Sequence, residues 1–135
     1  MDYRRGRNFF AQGRLKPGQM NETEKLYASD LELQQAAGAI LWWRFQGLKL
    51  RLADNTFYTP DFNVIARDAV MECHEIKSFW QDDARVKIKV AADLYPFRFR
   101  AFTKRSKKSG GGWEEEDFSK SAQDAPGLFL GELYT

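Results

Sequence analysis

Read for the spacing of apolar and polar positions, the chain divides into an unpatterned start and a patterned body. Residues 1–19 show neither helical nor strand periodicity and carry Gly6, Gly13, Pro17 and Gly18. A flexible arm is expected there, with a single domain over residues 20–135. Asn21 followed three positions later by Glu24 has the form of a capping box, in which each side chain satisfies the other residue's backbone N–H. The helix so opened is expected to lay Leu26, Ser29, Asp30, Leu33 and Ala37 along one side and to end at Gly38. From Ile40 the period changes. Ile40 to Phe45 is aromatic and apolar, then Leu48, Leu50 and Leu52 alternate with Lys49 and Arg51, the pattern of strands with one wet face.

The turn residues Asp54 and Asn55 lead into a strand expected over residues 57–65; residues 66–69 form a hairpin connection, and 70–77 the return strand. Asp82 or Asp83 can cap a second helix in which Val86, Val90 and Leu94 recur at every fourth position while Arg85, Lys87 and Lys89 point elsewhere; Pro96 stops it. Phe97, Phe99 and Ala101 then alternate with Arg98 and Arg100. The order helix, strands, helix, strand predicts an α/β domain whose central sheet carries helices on its faces. Gly110 to Gly112 lacks the Gly-Lys-Ser/Thr ending of a phosphate-binding loop and reads as a linker. The C-terminal remainder gives only weak, mixed signals.

Composition narrows the chemistry. With 135 residues, 43% of them hydrophobic, the chain can build one compact core but not two. Its longest apolar stretch, Ala36 to Trp43, is interrupted by Gly38 and too short for a bilayer, and no signal core opens the chain. A soluble, cytoplasmic protein without membrane contact is expected. Cys73 is the only cysteine and His74 the only histidine, which excludes an internal disulfide and a thiolate-rich zinc cage. A metal would have to sit on oxygens, which suits Mg²⁺ or Mn²⁺. The formal charge of +2 is unevenly spread. Arg4, Arg5, Arg7, Arg14 and Lys16 crowd the start, while Lys104, Arg105, Lys107 and Lys108 follow the last clear strand; separate basic patches of this kind suit a polyanion. The expected nucleic-acid contacts are Arg4, Arg5, Arg7, Arg85, Lys89, Lys104 and Arg105, with Lys87 open to two readings, a further phosphate contact or only part of a wet helix face.

Glu75 and Lys77 stand two apart on a strand and so share a face, with Ile76 directed into packing. If the preceding strand pairs antiparallel through the 66–69 turn, Asp61 lies opposite Glu75. Two carboxylates and an amine then converge, and with the Ile76 carbonyl they could hold a divalent ion that activates a phosphodiester and a water, Lys77 orienting that water or offsetting charge on phosphorus. Glu24 admits two readings of equal weight, a helix cap or a further acidic site residue. Glu72 falls on the opposite face from Glu75 and is expected to serve surface solubility. Cys73 is expected to be a small core hydrophobe, His74 to pack or cap, and Trp42, Trp43 and Trp80 to pack in the core or at its rim.

Three stretches together, Tyr58-Thr59-Pro60-Asp61-Phe62, Glu75-Ile76-Lys77, and Trp80 followed by Asp82-Asp83-Ala84-Arg85 and Lys87, with Glu24 on the first helix, resemble the PD-(D/E)XK nucleases. Within them the likeness is strongest to phage endonuclease I type Holliday-junction resolvases, over residues 24–102. The resemblance implies a restriction-endonuclease-like core of order αβββαβ and a Mg²⁺- or Mn²⁺-dependent endodeoxyribonuclease leaving 5′-phosphate ends. It implies Asp61 and Glu75 as ligands, Lys77 as the catalytic lysine, Glu24 completing the acidic site, and a homodimer acting on branched DNA. Ser78 stands where the family often has glycine, and the segment that intertwines endonuclease I dimers is not recognisable. Two other readings stay open: a nicking or flap endonuclease of the same fold, and a DNA-binding module that keeps the scaffold without catalysis.

Overall fold

The computed structural model describes residues 18–78 and 82–119. The basic arm with Arg4, Arg5 and Arg7 lies outside them, as does Trp80. Helix α1 spans Glu22–Ala36 behind the capping box that Asn21 and Glu24 predict. Asn21 Oδ1 accepts the Glu24 N–H and Glu24 Oε1 accepts the Asn21 N–H, each at 2.8 Å. Just past the helix Gly38 adopts φ of 80°, the left-handed conformation that suits a glycine after a C-cap. The buried side of α1 is not the expected one. It comprises Glu24, Tyr27, Ala28 and Leu31, whereas Leu26 and Leu33 are 47% and 70% exposed. The stripe through Leu26 is interrupted by Ser29 and Asp30, while the stripe through Tyr27 carries a ring that meets Phe62, Phe102 and Trp113 at centroid distances of 5.3, 5.1 and 5.1 Å.

Among the described residues seven strands follow: β1 (Ile40–Phe45), β2 (Leu50–Ala53), β3 (Thr56–Tyr58), β4 (Phe62–Ala66), β5 (Met71–Lys77), β6 (Arg98–Lys104) and β7 (Trp113–Asp117). Five form a mixed sheet in the order β1-β4-β5-β6-β7, and β2 with β3 makes a separate hairpin. The chain turns from β4 into β5 at the expected connection, where the Ala66 N–H reaches the Val70 carbonyl. Strands β5 and β6 are parallel, which demands a crossover; helix α2 (Asp82–Leu94) supplies it.

One expectation about strands is corrected, and one strand that the sequence leaves unassigned appears. Residues 57–65 are not one strand, because Tyr58 pairs with Leu50 in the hairpin whereas Phe62 pairs with His74 in the main sheet. The switch occurs at Pro60, which has no N–H to give to either ladder and is fully buried. The acidic run from Glu114 to Asp117 belongs to an edge strand, β7, antiparallel to β6, with Gly110 to Gly112 forming the tight approach at positive φ.

Each sheet face carries a helix. Tyr27, Ala28 and Leu31 of α1 pack on Ile40, Phe62, Val64 and Ile76. On the other face Ile88 and Ala91 of α2 meet Cys73 and Phe99, and the hairpin adds Leu50 and Tyr58; each large apolar side chain so buried contributes about 1.5–3 kcal/mol. Val86, Val90 and Leu94, expected inside, are 56%, 38% and 53% exposed. Ile88 and Ala91, at 1% and 0% exposure, take the inward side instead. Among the described residues no helix is long and apolar enough to cross a membrane.

Candidate active site

Strand alternation assigns every residue of β5 to a face. Glu72, His74 and Ile76 look toward α1; Cys73, Glu75 and Lys77 look toward α2. The register Phe62↔His74 then sets Asp61, one residue before β4, level with Glu75. Asp61 Oδ2 accepts the Ile76 N–H at 2.9 Å. Because the N–H and C=O of a strand residue leave from the same edge, the Ile76 carbonyl emerges on that edge too. Lys77 Nζ lies 3.0 Å from Glu75 Oε2, and the Tyr58 hydroxyl donates to Glu75 Oε1 at 2.7 Å. Both oxygens of a nearly buried carboxylate, 7% exposed, are therefore fixed.

The trio expected from the sequence does converge, and Glu24 of α1 is near enough for its charge to act on Asp61. That residue is both a cap and a neighbour of the site: it closes the capping box, is 9% exposed, and its charge is felt at Asp61. Burial, then the charges of Glu75 and Glu24, push the Asp61 carboxyl up from 3.8 to about 8 against the opposing pull of the Ile76 N–H and Lys77. Burial and Glu75 likewise hold the Tyr58 phenol well above its usual range, so Tyr58 remains a hydrogen-bond donor. The sequence motif contains Tyr58, but its role there is not legible without knowing that the hairpin folds back over β5.

Two carboxylates beside one lysine, with the charge of Glu24 also acting on Asp61, leave excess negative charge in a poorly solvated place, a situation relieved by a proton or by a cation. All-oxygen donors of this kind suit a hard divalent ion. Asp61, Glu75 and the Ile76 carbonyl are the groups that would hold it. Among the described residues no three His, Cys, Asp or Glu side chains form a ready-made metal cage, so water or substrate oxygens would have to complete the coordination. Beside this cluster lies a cleft of about 280 Å³ between β3 and the first turns of α2, with Glu75 and Lys77 in its wall.

The basic residues divide. Lys104 and Arg105 lie at the end of β6 that adjoins Lys77, since Lys77 pairs with Thr103, and Lys89 is exposed on α2. Arg85, by contrast, is tied to Glu116 of β7 and stands over the Phe118 ring.

At the other end of β5 the expectation of a solvated Glu72 is overturned. Glu72 is 5% exposed and is held by His74 Nε2 at 2.8 Å, Arg98 at 3.1 Å and Arg100 at 3.4 Å. The face was read correctly, but that face is covered by α1 and flanked by the arginines of β6. His74 is packed and bonded, its Nδ1 2.7 Å from the Tyr27 hydroxyl. Cys73 is a core residue whose thiol burial pushes up to about 12, too high for a nucleophile. No family model, curated protein or solved structure matches the chain.

Proposed function

We propose that this protein is a Mg²⁺- or Mn²⁺-dependent DNA endonuclease of the PD-(D/E)XK kind, acting on branched DNA such as a four-way junction, as a homodimer. The observation that carries the reading is the meeting of Asp61 with Glu75 and Lys77 through the Asp61–Ile76 hydrogen bond. In support, the run α1, β1, β4, β5, α2, β6 of helices and main-sheet strands agrees with a restriction-endonuclease-like core to which β2 and β3 add an inserted hairpin and β7 a further sheet strand.

A divalent ion bound by Asp61, Glu75 and the Ile76 carbonyl would supply Lewis-acid activation of the phosphodiester. The remaining steps belong to the chain. Asp61 must give up its proton to serve as a ligand, which Lys77 favours. Lys77 orients the attacking water and neutralises charge gathering on the phosphoryl oxygens. Tyr58 keeps Glu75 in one rotamer, and Glu24 adds negative charge beside the ligand pair.

The test is cleavage of labelled four-way junction, flap, nicked and linear duplex DNA in Mg²⁺. Junction cutting is expected, with at least a roughly 100-fold loss in Asp61→Asn and in Lys77→Ala. Cutting that persists unchanged in both variants removes these residues from the mechanism; preference for flap or nicked DNA reassigns the substrate.

A further inference from the structure

Most arginines of the described sheet and helices that touch a carboxylate are consumed by it: Arg85 by Glu116, Arg98 by Asp68 and Glu72, Arg100 by Glu72. Two lysines near the candidate active site are organised differently, and both around Phe57. Lys87 lines the cleft with Glu75 and Lys77, and its Nζ donates to the Phe57 carbonyl at 3.3 Å. Lys49 Nζ stands 4.5 Å over the centroid of the Phe57 ring. The partners are a neutral carbonyl and a neutral ring face. They restrict where the ammonium groups sit without cancelling their charge, and a carbonyl bond uses one of three ammonium donors. Both lysines are solvent-exposed. Phe57 itself, 40% exposed on the hairpin strand β3, is thus a post that holds one cation at the cleft and another just outside it.

We propose that Lys87 and Lys49 contact backbone phosphates flanking the one held at Lys77, so that a DNA strand runs from the Glu75–Lys77 wall over the β2–β3 hairpin. The inference rests on the nuclease reading of that wall and adds to it a path for the substrate. Asp83 also lines the cleft, but it lies on the α2 side with its Oδ1 engaged by the Ala84 N–H, which leaves the Phe57 lip as the positive side. The sequence leaves Lys87 open between a phosphate contact and a wet helix face; its role depends on a hairpin that approaches α2 from thirty residues away in the chain.

The experiment is a salt series of binding to fluorescent duplex and four-way junction DNA in Ca²⁺, read by anisotropy, with cleavage in Mg²⁺ measured in parallel. Wild type is compared with Lys87→Ala, Lys87→Gln, Lys49→Ala, Lys87→Arg and the double alanine variant, each checked for an unchanged melting temperature. Removing one cation that neutralises a phosphate lowers the slope of log affinity against log salt by about 0.9. A drop of about 1 is expected for Lys87→Ala and Lys87→Gln and about 2 for the double variant, with Lys87→Arg retaining the slope. Wild-type cutting together with an unchanged slope in the double variant overturns the proposal and leaves the nuclease reading standing. A reduced slope without cutting supports the phosphate path and removes the nuclease reading. A wild type that neither binds nor cuts DNA overturns both.

Discussion

Glu72 and Glu75 stand three residues apart on β5, on opposite faces of one sheet, and each is nearly buried at 5% and 7% exposure. Their surroundings differ in sign. Around Glu72, burial acts to raise the carboxyl, yet the hydrogen bond from His74 and the charges of Arg100 and Arg98 outweigh it and the group titrates below its ordinary value. Around Asp61, which shares its edge with Glu75, burial is reinforced by two neighbouring carboxylates and the group titrates far above its ordinary value. One end of the strand is matched in charge; the other is left with an excess. Structural ion pairs explain the first, whereas the second makes sense where a ligand is to be received.

The two ends also impose opposite pH dependences. Glu72, with its folded value depressed, contributes stability that is present at neutral pH and is lost as pH falls through that value. Asp61, with its folded value raised, contributes stability that is fully present below 3.8 and is lost as pH rises toward about 8. The largest expected effect comes from breaking the matched end. Glu72→Ala leaves His74 and two arginines facing one another across a partly dry space, and urea denaturation at pH 7 should show a loss of about 3 kcal/mol. Next comes relief of the unmatched end. Asp61→Asn can still accept the Ile76 N–H, so in metal-free buffer at pH 8 it should gain at least the ~1.4 kcal/mol of one pK unit. A melting series from pH 5 to pH 8 should slope downward for the wild type and lie flat for the variant, and Mg²⁺ should flatten the wild type alone. A variant that melts lower than wild type at pH 8 would contradict the account of that end.

The smallest effect concerns backbone, not charge. Ala69 sits at φ of 68° in the turn into β5, a conformation that costs an L residue about 1 kcal/mol. Ala69→Gly should recover most of that in chemical denaturation with both limbs of the pH profile unmoved. Any change in pH slope would mean that the turn helps to place Asp68 against Arg98, and so that the matched end extends further than the buried residues.

What could be read in the sequence followed from how local each signal was. The capping box, the strand from Ile40 to Phe45, the return strand ending at Lys77 and the stop at Pro96 depend on neighbours within a few positions, and all appear. The alternation of β5 also placed Glu75 and Lys77 together and Glu72 opposite them. What was not legible depended on what covers each face. Leu26, Leu33, Val86, Val90 and Leu94 have helical spacing, yet Tyr27 and Ile88 win the interior because the sheet offers them aromatic and close-packed partners. Glu72 reads as a surface charge until Arg98 and Arg100 arrive from β6. The Tyr58–Glu75 and Lys87–Phe57 contacts arise only once the hairpin folds across β5 and α2.

Among the described residues strand β7 closes one margin of the sheet with Glu114, Glu115, Glu116 and Asp117 in succession. Unpaired strand margins invite foreign strands to add on, and consecutive like charges forbid two copies from joining there. Charge, rather than a bulge or a proline, is thus what keeps this margin from growing by another strand.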